Sequence, residues 1–321
     1  MKKVIFLFAM VFAVSMAMAQ NSSTVNQTGN LQEASVSQDG SNSSLVNQTT
    51  TQVTGGKQTA TVIQDGTNTS TITQNNSGGT ATSPNDAFIQ QVGSNSSTQS
   101  STSSGNQDHD LWGYQNGTGN VLTQTSTGGY TIDLKAEQYG TTNTAAQTAS
   151  GSSHTDARIK QDGTDNSATQ FIYGSNNGYS SAVILIDQLG VDNTALQTFT
   201  GSGSSHKNNG VIAQVGDFNS ATQTANGRSL DLQITQTGDS NEATQTVSGN
   251  NYGLVPARGL IKITQTGDDN IATQIADGDG IIGTILQVGD LNIASMLQTG
   301  DMHTATITQT GNSNLATVTQ Q

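Results

Sequence analysis

A chain of 321 residues with 31 % hydrophobic and 4 % aromatic side chains falls well short of an ordinary globular core. Its 23 acidic residues against 10 basic ones speak against nucleic acid or an anionic membrane as partner, and the absence of cysteine removes disulfides, thiolate metal sites and cysteine nucleophiles. Gln, Asn, Ser, Thr and 36 Gly fill the sequence, and charged residues are only 10 %, so the chain is either disordered or held by stacked polar side chains.

Lys2 and Lys3, the apolar stretch Val4 to Val14 and the small residues Ala17-Met18-Ala19 read as an export leader, residues 1–19, cut before Gln20. The apolar run is too short for a membrane-spanning helix, and no cysteine follows the cut to carry a lipid. Residues 20–24 are a short N-terminal segment, and 25–321 form one repeat region that is exported, soluble and acidic.

The repeat region is marked by Gln-x-Gly, which begins at Gln27, Gln38, Gln64, Gln91, Gln115, Gln138, Gln161, Gln188, Gln214, Gln236, Gln265, Gln287, Gln298 and Gln309. Five residues after the Gln stands Asn120, Asn143, Asn166, Asn193, Asn219, Asn241, Asn270, Asn292 or Asn314, and seven after it a small residue such as Ala145, Ala195 or Ala243. Starts lie 22 to 29 residues apart through the middle and 11 apart at Gln27–Gln38 and Gln287–Gln298–Gln309, so 11 is the elementary unit. In the first four motifs the fifth position is Gln32, Ser43, Thr69 or Ser96, which predicts looser N-terminal coils.

Each unit reads as strand–turn–strand. Leu232, Ile234 and Gln236 alternate to one face, Thr237-Gly238-Asp239-Ser240 makes a turn, and Asn241, Ala243, Gln245 and Val247 share a face of the next strand. The glycines Gly216, Gly238, Gly267 and Gly289 are expected at positive φ in this constant-length turn. Length varies only from the second strand to the next first strand, as in Gly201–Gly210 and Asn250–Gly259, which places every insertion on one edge. The fold expected is all-β, a two-sided β-solenoid of about a dozen stacked coils. Gln138, Gln161, Gln188, Gln214, Gln236, Gln265 and Gln287 then stack into one amide ladder, and Asn143, Asn166, Asn193, Asn219, Asn241, Asn270 and Asn292 into another. In the tail, Gln309, Asn314, Ala316, Val318 and Gln320 continue the inward pattern and offer an open edge for strand addition by a second copy.

Other signals reduce to plainer readings. Gly278-Asp-Gly280-Ile-Ile-Gly283 matches a dinucleotide fingerprint in letters only, because strand-forming Thr284-Ile-Leu follows where a helix is required. His109, His154, His206 and His303 lack metal-ligand spacing; three are read as solvated loop residues and one as a substitute for Asn. Asp217, Asp239, Asp268, Asp290 and Asp301 each follow a repeat Gly; they suit turn formation and anti-aggregation charge, with an acidic edge for Ca²⁺ as the alternative. Nothing places Ser, His and Asp as a triad, and eight scattered Lys/Arg beyond the leader supply no concave catalytic face, so no enzyme, cofactor or metal is expected. Outward pairs Thr123/Thr125, Thr222/Thr224, Thr244/Thr246, Thr306/Thr308 and Thr317/Thr319 suggest an ice-binding or adhesive face on the second strand, interrupted at Ala146, Phe171, Leu196 and Ile275.

Gln-x-Gly-x-x-Asn-x-Ala followed by a further Gln, on an 11/22-residue period behind a leader, resembles the curlin repeat, the unit of curli, extracellular amyloid fibres of bacterial biofilms. The likeness runs from about Val25 to Gln321. It implies export through an outer-membrane pore with periplasmic chaperones, templated growth on a minor nucleating subunit, and fibres that bind surfaces and amyloid dyes. The central units depart from it: Gln147, Gln170, Gln223 and Gln274 stand nine residues after the first Gln, where the familiar spacing is eleven, and the insertions are longer.

Overall fold

The computed structural model describes residues 20–51, 57–77, 84–103, 107–151, 154–174, 184–201, 208–250 and 260–321. The leader expected at 1–19 and most of each expected insertion lie outside the described residues.

All regular structure described is strand. In chain order the strands are β1 (Ser22–Thr28), β2 (Gln32–Gly40), β3 (Ser43–Thr50), β4 (Gln58–Gly66), β5 (Thr69–Asn76), β6 (Asn85–Ser103), β7 (Asp108–Thr127), β8 (Thr131–Thr141), β9 (Thr144–Ser150), β10 (His154–Thr164) and β11 (Ser167–Gly174). They continue as β12 (Ile184–Val191), β13 (Thr194–Gly201), β14 (Asn209–Val215), β15 (Ser220–Arg228), β16 (Asp231–Thr237), β17 (Glu242–Asn250), β18 (Leu260–Thr266), β19 (Ile271–Asp277), β20 (Ile282–Val288), β21 (Ile293–Thr299), β22 (Thr304–Thr310) and β23 (Leu315–Gln320).

Every pairing is parallel and joins a strand to its equivalent one coil on. One sheet takes β2, β4, β8 and the even strands to β22; the other takes β1, β3, β5 and the odd strands from β9 to β23. The long strands β6 and β7 run through the turn and serve both sheets, with a bulge between Ser94 and Ser96. The result is a two-sided β-solenoid of about 11 turns.

Alternation explains why a chain so poor in apolar residues packs. Ile186, Ile212, Ile234, Ile263 and Ile285 face Ala195, Ala221, Ala243, Ala272 and Ala294 across a thin interior. The small partners let the sheets approach, and stacked amides fill the rest. Where a large side chain enters, its opposite is reduced: a Cβ on Gly210 would lie 2.2 Å from the ring of Phe199.

Two expectations are corrected. Gln27 and Gln298 carry the Gln-x-Gly motif but lie in the second sheet, because units 11 residues apart alternate between sheets. The N-terminal coils are not looser: Asn42, Asn68 and Asn95, four residues after their Gln instead of five, occupy the asparagine column through a turn one residue shorter, and all are buried.

Candidate functional site

The first-sheet ladder runs without a break from Gln38 to Gln309. Each Nε2 donates to Oε1 of the Gln one coil on at 2.7–3.0 Å, through Gln138, Gln161, Gln188, Gln214, Gln236, Gln265 and Gln287. The second amide hydrogen goes to the backbone of the facing sheet, as from Gln188 to Ser167 O at 3.1 Å. Each inner amide thereby satisfies groups whose orphaning costs about 1–3 kcal/mol in a buried site.

The asparagine ladder points the other way. Oδ1 of each Asn accepts both the backbone N–H and Nδ2 of the next, through Asn143, Asn166, Asn193, Asn219, Asn241, Asn270 and Asn292 to Asn314, at 3.0–3.1 Å until the final side-chain bond of 2.8 Å. It begins at Asn21, whose Oδ1 accepts from Asn42 N at 3.0 Å. Gly216, Gly238, Gly267 and Gly289 take φ of +115°, +108°, +109° and +108° in the intervening turn.

The second sheet carries a broken ladder. From Gln99 through Gln124, Gln147, Gln170, Gln197, Gln223 and Gln245 to Gln274 the amides stack in one column. Gln99 pairs in register with Ile72 before it, and Gln274 with Met296 after it. Beyond both points the Gln stands two residues further along the strand: Gln27 to Gln48 to Gln74 at one end, and Gln298 to Gln320 at the other. Each step leaves a buried amide oxygen without a partner, Gln99 Oε1 and Gln298 Oε1. Each is also faced by a glycine. A Cβ on Gly113 would lie 2.5 Å from Leu122 and 3.3 Å from Gln99 Nε2, and one on Gly283 would lie 2.2 Å from Gln274 Nε2 and 2.7 Å from Gln298 Oε1.

The aspartates after the turn glycines act on the backbone. Asp239 Oδ1 accepts from Asp217 N, Asp268 Oδ1 from Asp239 N and Asp290 Oδ1 from Asp268 N, at 2.8–3.1 Å. Asp301 does the same for Asp279 N, but on the opposite edge, because Gly300 follows second-sheet Gln298. Among the described residues no three His, Asp or Glu side chains gather as a metal site.

His109 corrects the reading of solvated loop histidines. It is fully buried, its Nδ1 lies 3.1 and 3.0 Å from the hydroxyls of Ser101 and Ser126, and burial holds its imidazole down to about 4. His206 lies outside the described residues, and His303 bonds Thr299 O at 3.0 Å. On the outer face above His109, Asp86, Asp110, Asp133 and Asp156 stack in register beside stacked Phe88 and Trp112, whose ring Lys135 covers at 4.6 Å. Partial desolvation, then repulsion from Asp108, Asp133 and Asp86, pushes the Asp110 carboxyl up to about 7, although the residue is solvent-exposed and water screens part of that effect. Burial likewise raises Asp133, opposed by Arg158.

The outward threonines do not form one array. Thr306 and Thr308 belong to the first sheet, and on the second Leu297 adds to the interruptions. Gly278 and Gly280 sit in a turn between β19 and β20, and Gly283 lies in strand β20, so the dinucleotide fingerprint has no helix to open.

At the two extremes the outer edges of β1 and β2, and of β22 and β23, pair with no strand among the described residues. Gln309, Asn314, Ala316, Val318 and Gln320 lie on the last coil. Ala316 and Val318 pack partly buried against the core, and Gln320 Nε2 bonds Thr304 O at 3.2 Å. No helix among the described residues is long and apolar enough to cross a membrane.

Residues 283–311 and 297–321 each match the family model of the curlin associated repeat. No curated protein matches the chain.

Proposed function

We propose, from the match of its C-terminal repeats to the curlin associated repeat, that the chain is a curlin-repeat protein and a structural subunit of curli-like extracellular fibres, serving a biofilm matrix, adhesion and surface attachment. In this reading residues 1–19 direct export, residues 25–321 are the fibre-forming unit, and the chain adds end to end through its open coils. Its partners are further copies of itself, a minor nucleating subunit, an outer-membrane pore and periplasmic chaperones. The role is structural rather than catalytic.

One observation carries the reading: both sheets run to the last coil, the first-sheet glutamine ladder unbroken to Gln309 and the second-sheet ladder resumed from Gln298 to Gln320, and the outer backbone groups there pair with no strand among the described residues. Such edges template strand addition. Purified chain 20–321 is expected to form dye-binding fibres with a cross-β reflection near ~4.7–4.8 Å. A chain that stays monomeric for weeks at high concentration defeats the reading and leaves a non-fibrous adhesin or ice-binding solenoid. The interrupted threonine columns give that second reading little to work with.

A further inference from the structure

The two steps in the second-sheet glutamine ladder have a common effect: they make the first and last coils alike and set both apart from the interior. The first coil presents Ala34, Val36 and Gln38 on one sheet and Val25 and Gln27 on the other. The last presents Ala305, Ile307 and Gln309, then Val318 and Gln320, at the same positions. In most interior coils the second-sheet positions hold Gln followed by Ser or an apolar residue, as in Gln197 and Phe199.

The hydrogen-bonding groups match in polarity as well. Every glutamine ladder donates forward along the chain, so the last coil offers amide hydrogens at Gln309 and Gln320, while no bond within the described chain reaches Oε1 of Gln38 or Gln27. The asparagine ladder donates backward, so Asn314 offers Oδ1 and Asn21 offers its backbone N–H.

We propose that a second copy docks head to tail in a single register, with Val25 and Gln27 of one copy on Val318 and Gln320 of the other, and that the two internal ladder steps encode this pairing by mismatching the end coils with every Gln99–Gln274 coil. The inference rests on the fibre reading above. Its physical basis is the cost visible within the chain: each internal step orphans a buried amide oxygen and requires a facing glycine, Gly113 or Gly283. A copy docked on an interior-type coil repeats that orphan without the glycine, whereas end on end continues all three ladders.

Two measurements on the full repeat chain test this. The chain lacks cysteine, so introduced pairs report alone. Thr24 and Thr317 face outward one coil apart in the proposed junction, at the ~4.8 Å strand spacing, within disulfide reach. Thr24→Cys/Thr317→Cys fibres are expected to give covalent multimers on mild oxidation, and Thr24→Cys/Thr319→Cys fibres, or Thr317→Cys alone, are not. Second, Val318→Gln/Gln320→Ala recasts the last coil in the interior pattern, the same step the chain itself makes from Ile72 and Gln74 to Gln99 and Ser101. Such monomers are expected to slow growth from parent seeds by roughly tenfold, the effect of one orphaned carbonyl. Adding Val25→Gln/Gln27→Ala restores self-assembly but not growth on parent seeds. Fibres that cross-link at 24–319 or 317–317, or swaps that leave seeding unchanged, overturn the register while the fibre reading stands. Absence of fibres from the parent chain overturns both.

Discussion

Gly238 lies in a turn stacked directly under the next, and a Cβ there would sit 2.3 Å from Gly267 O at a φ of +108°. Neither neighbour can yield without breaking coil spacing. Gly238→Ala is expected to cost more than ~1 kcal/mol in a denaturant melt of the soluble monomer, and Val more still. Gly151→Ala, at a positive φ but with open space around it, should cost only the conformational part, about 1 kcal/mol. The opposite sign is expected at Leu291, which is held at φ +60° and is 55 % exposed. Leu291→Asn should raise stability by roughly 0.5–1 kcal/mol in the same melt. The turn glycine was legible from Gln-x-Gly, whereas the left-handed residue was not. Ser240 and Asp269 hold that place with ordinary turn chemistry, but Phe218 and Leu291 hold it too, between the turn Gly two residues before and the Asn directly after, and Met302 holds it between Gly300 and His303.

Within an element, the ladders concentrate energy on single amides. Gln188→Leu strips partners from both Gln161 Nε2 and Gln214 Oε1, and should lower monomer stability by about 2 kcal/mol or more, against little change for the exposed neighbour Leu189→Thr. The outer carboxylate column predicts a pH response. Asp110 is raised to about 7, so the native state holds its proton more tightly than the unfolded chain; that contribution is fully present below the usual carboxylate range and lost as pH rises through about 7. His109, lowered to about 4, acts oppositely, and its contribution is lost as pH falls from the usual histidine range towards 4. The two offset between about 4 and 6.5. Asp110→Asn is therefore expected to raise the melting temperature above pH 7 and to leave a stability that rises with pH through that window. Thermal melts across pH check both. The period-two pattern made strands and inward faces readable, including the Gln and Asn ladders. His109 escaped because a lone His beside Asp108 and Asp110 reads as a charged loop, and only parallel register with Asn85 and Ile132 shows it on the inner face.

For the whole molecule, stability is a sum over coils and their nearest-neighbour contacts. Damage at an end coil thus leaves most of the stack folded while removing the surface on which another copy would seat. Ile307→Pro/Val318→Pro deletes ladder donors from β22 and β23 and should lengthen the fibre lag time severalfold with much smaller loss of strand signal, as dye-binding kinetics and circular dichroism on the same preparation would show. The coil architecture was legible because the Gln-to-Asn interval is nearly constant. Its alternation at 11 residues was not, since Gln298-Thr-Gly300 and Gln287-Val-Gly289 carry the same Gln-x-Gly signature yet enter different sheets. The short N-terminal turns hid in the same way, as an Asn displaced by one residue reads as an Asn missing.

The parallel stacking also fixes how such a thread bears load. Both sheets direct their backbone hydrogen bonds along the axis, so a pull on the two ends strains every bond of a coil together, and no coil parts until all of its bonds fail. A wedge driven in at the turn edge, where Gly238 rides against Gly267, meets those bonds one after another. The thread is accordingly strong in tension and weak to peeling, a mechanical anisotropy set by strand direction alone.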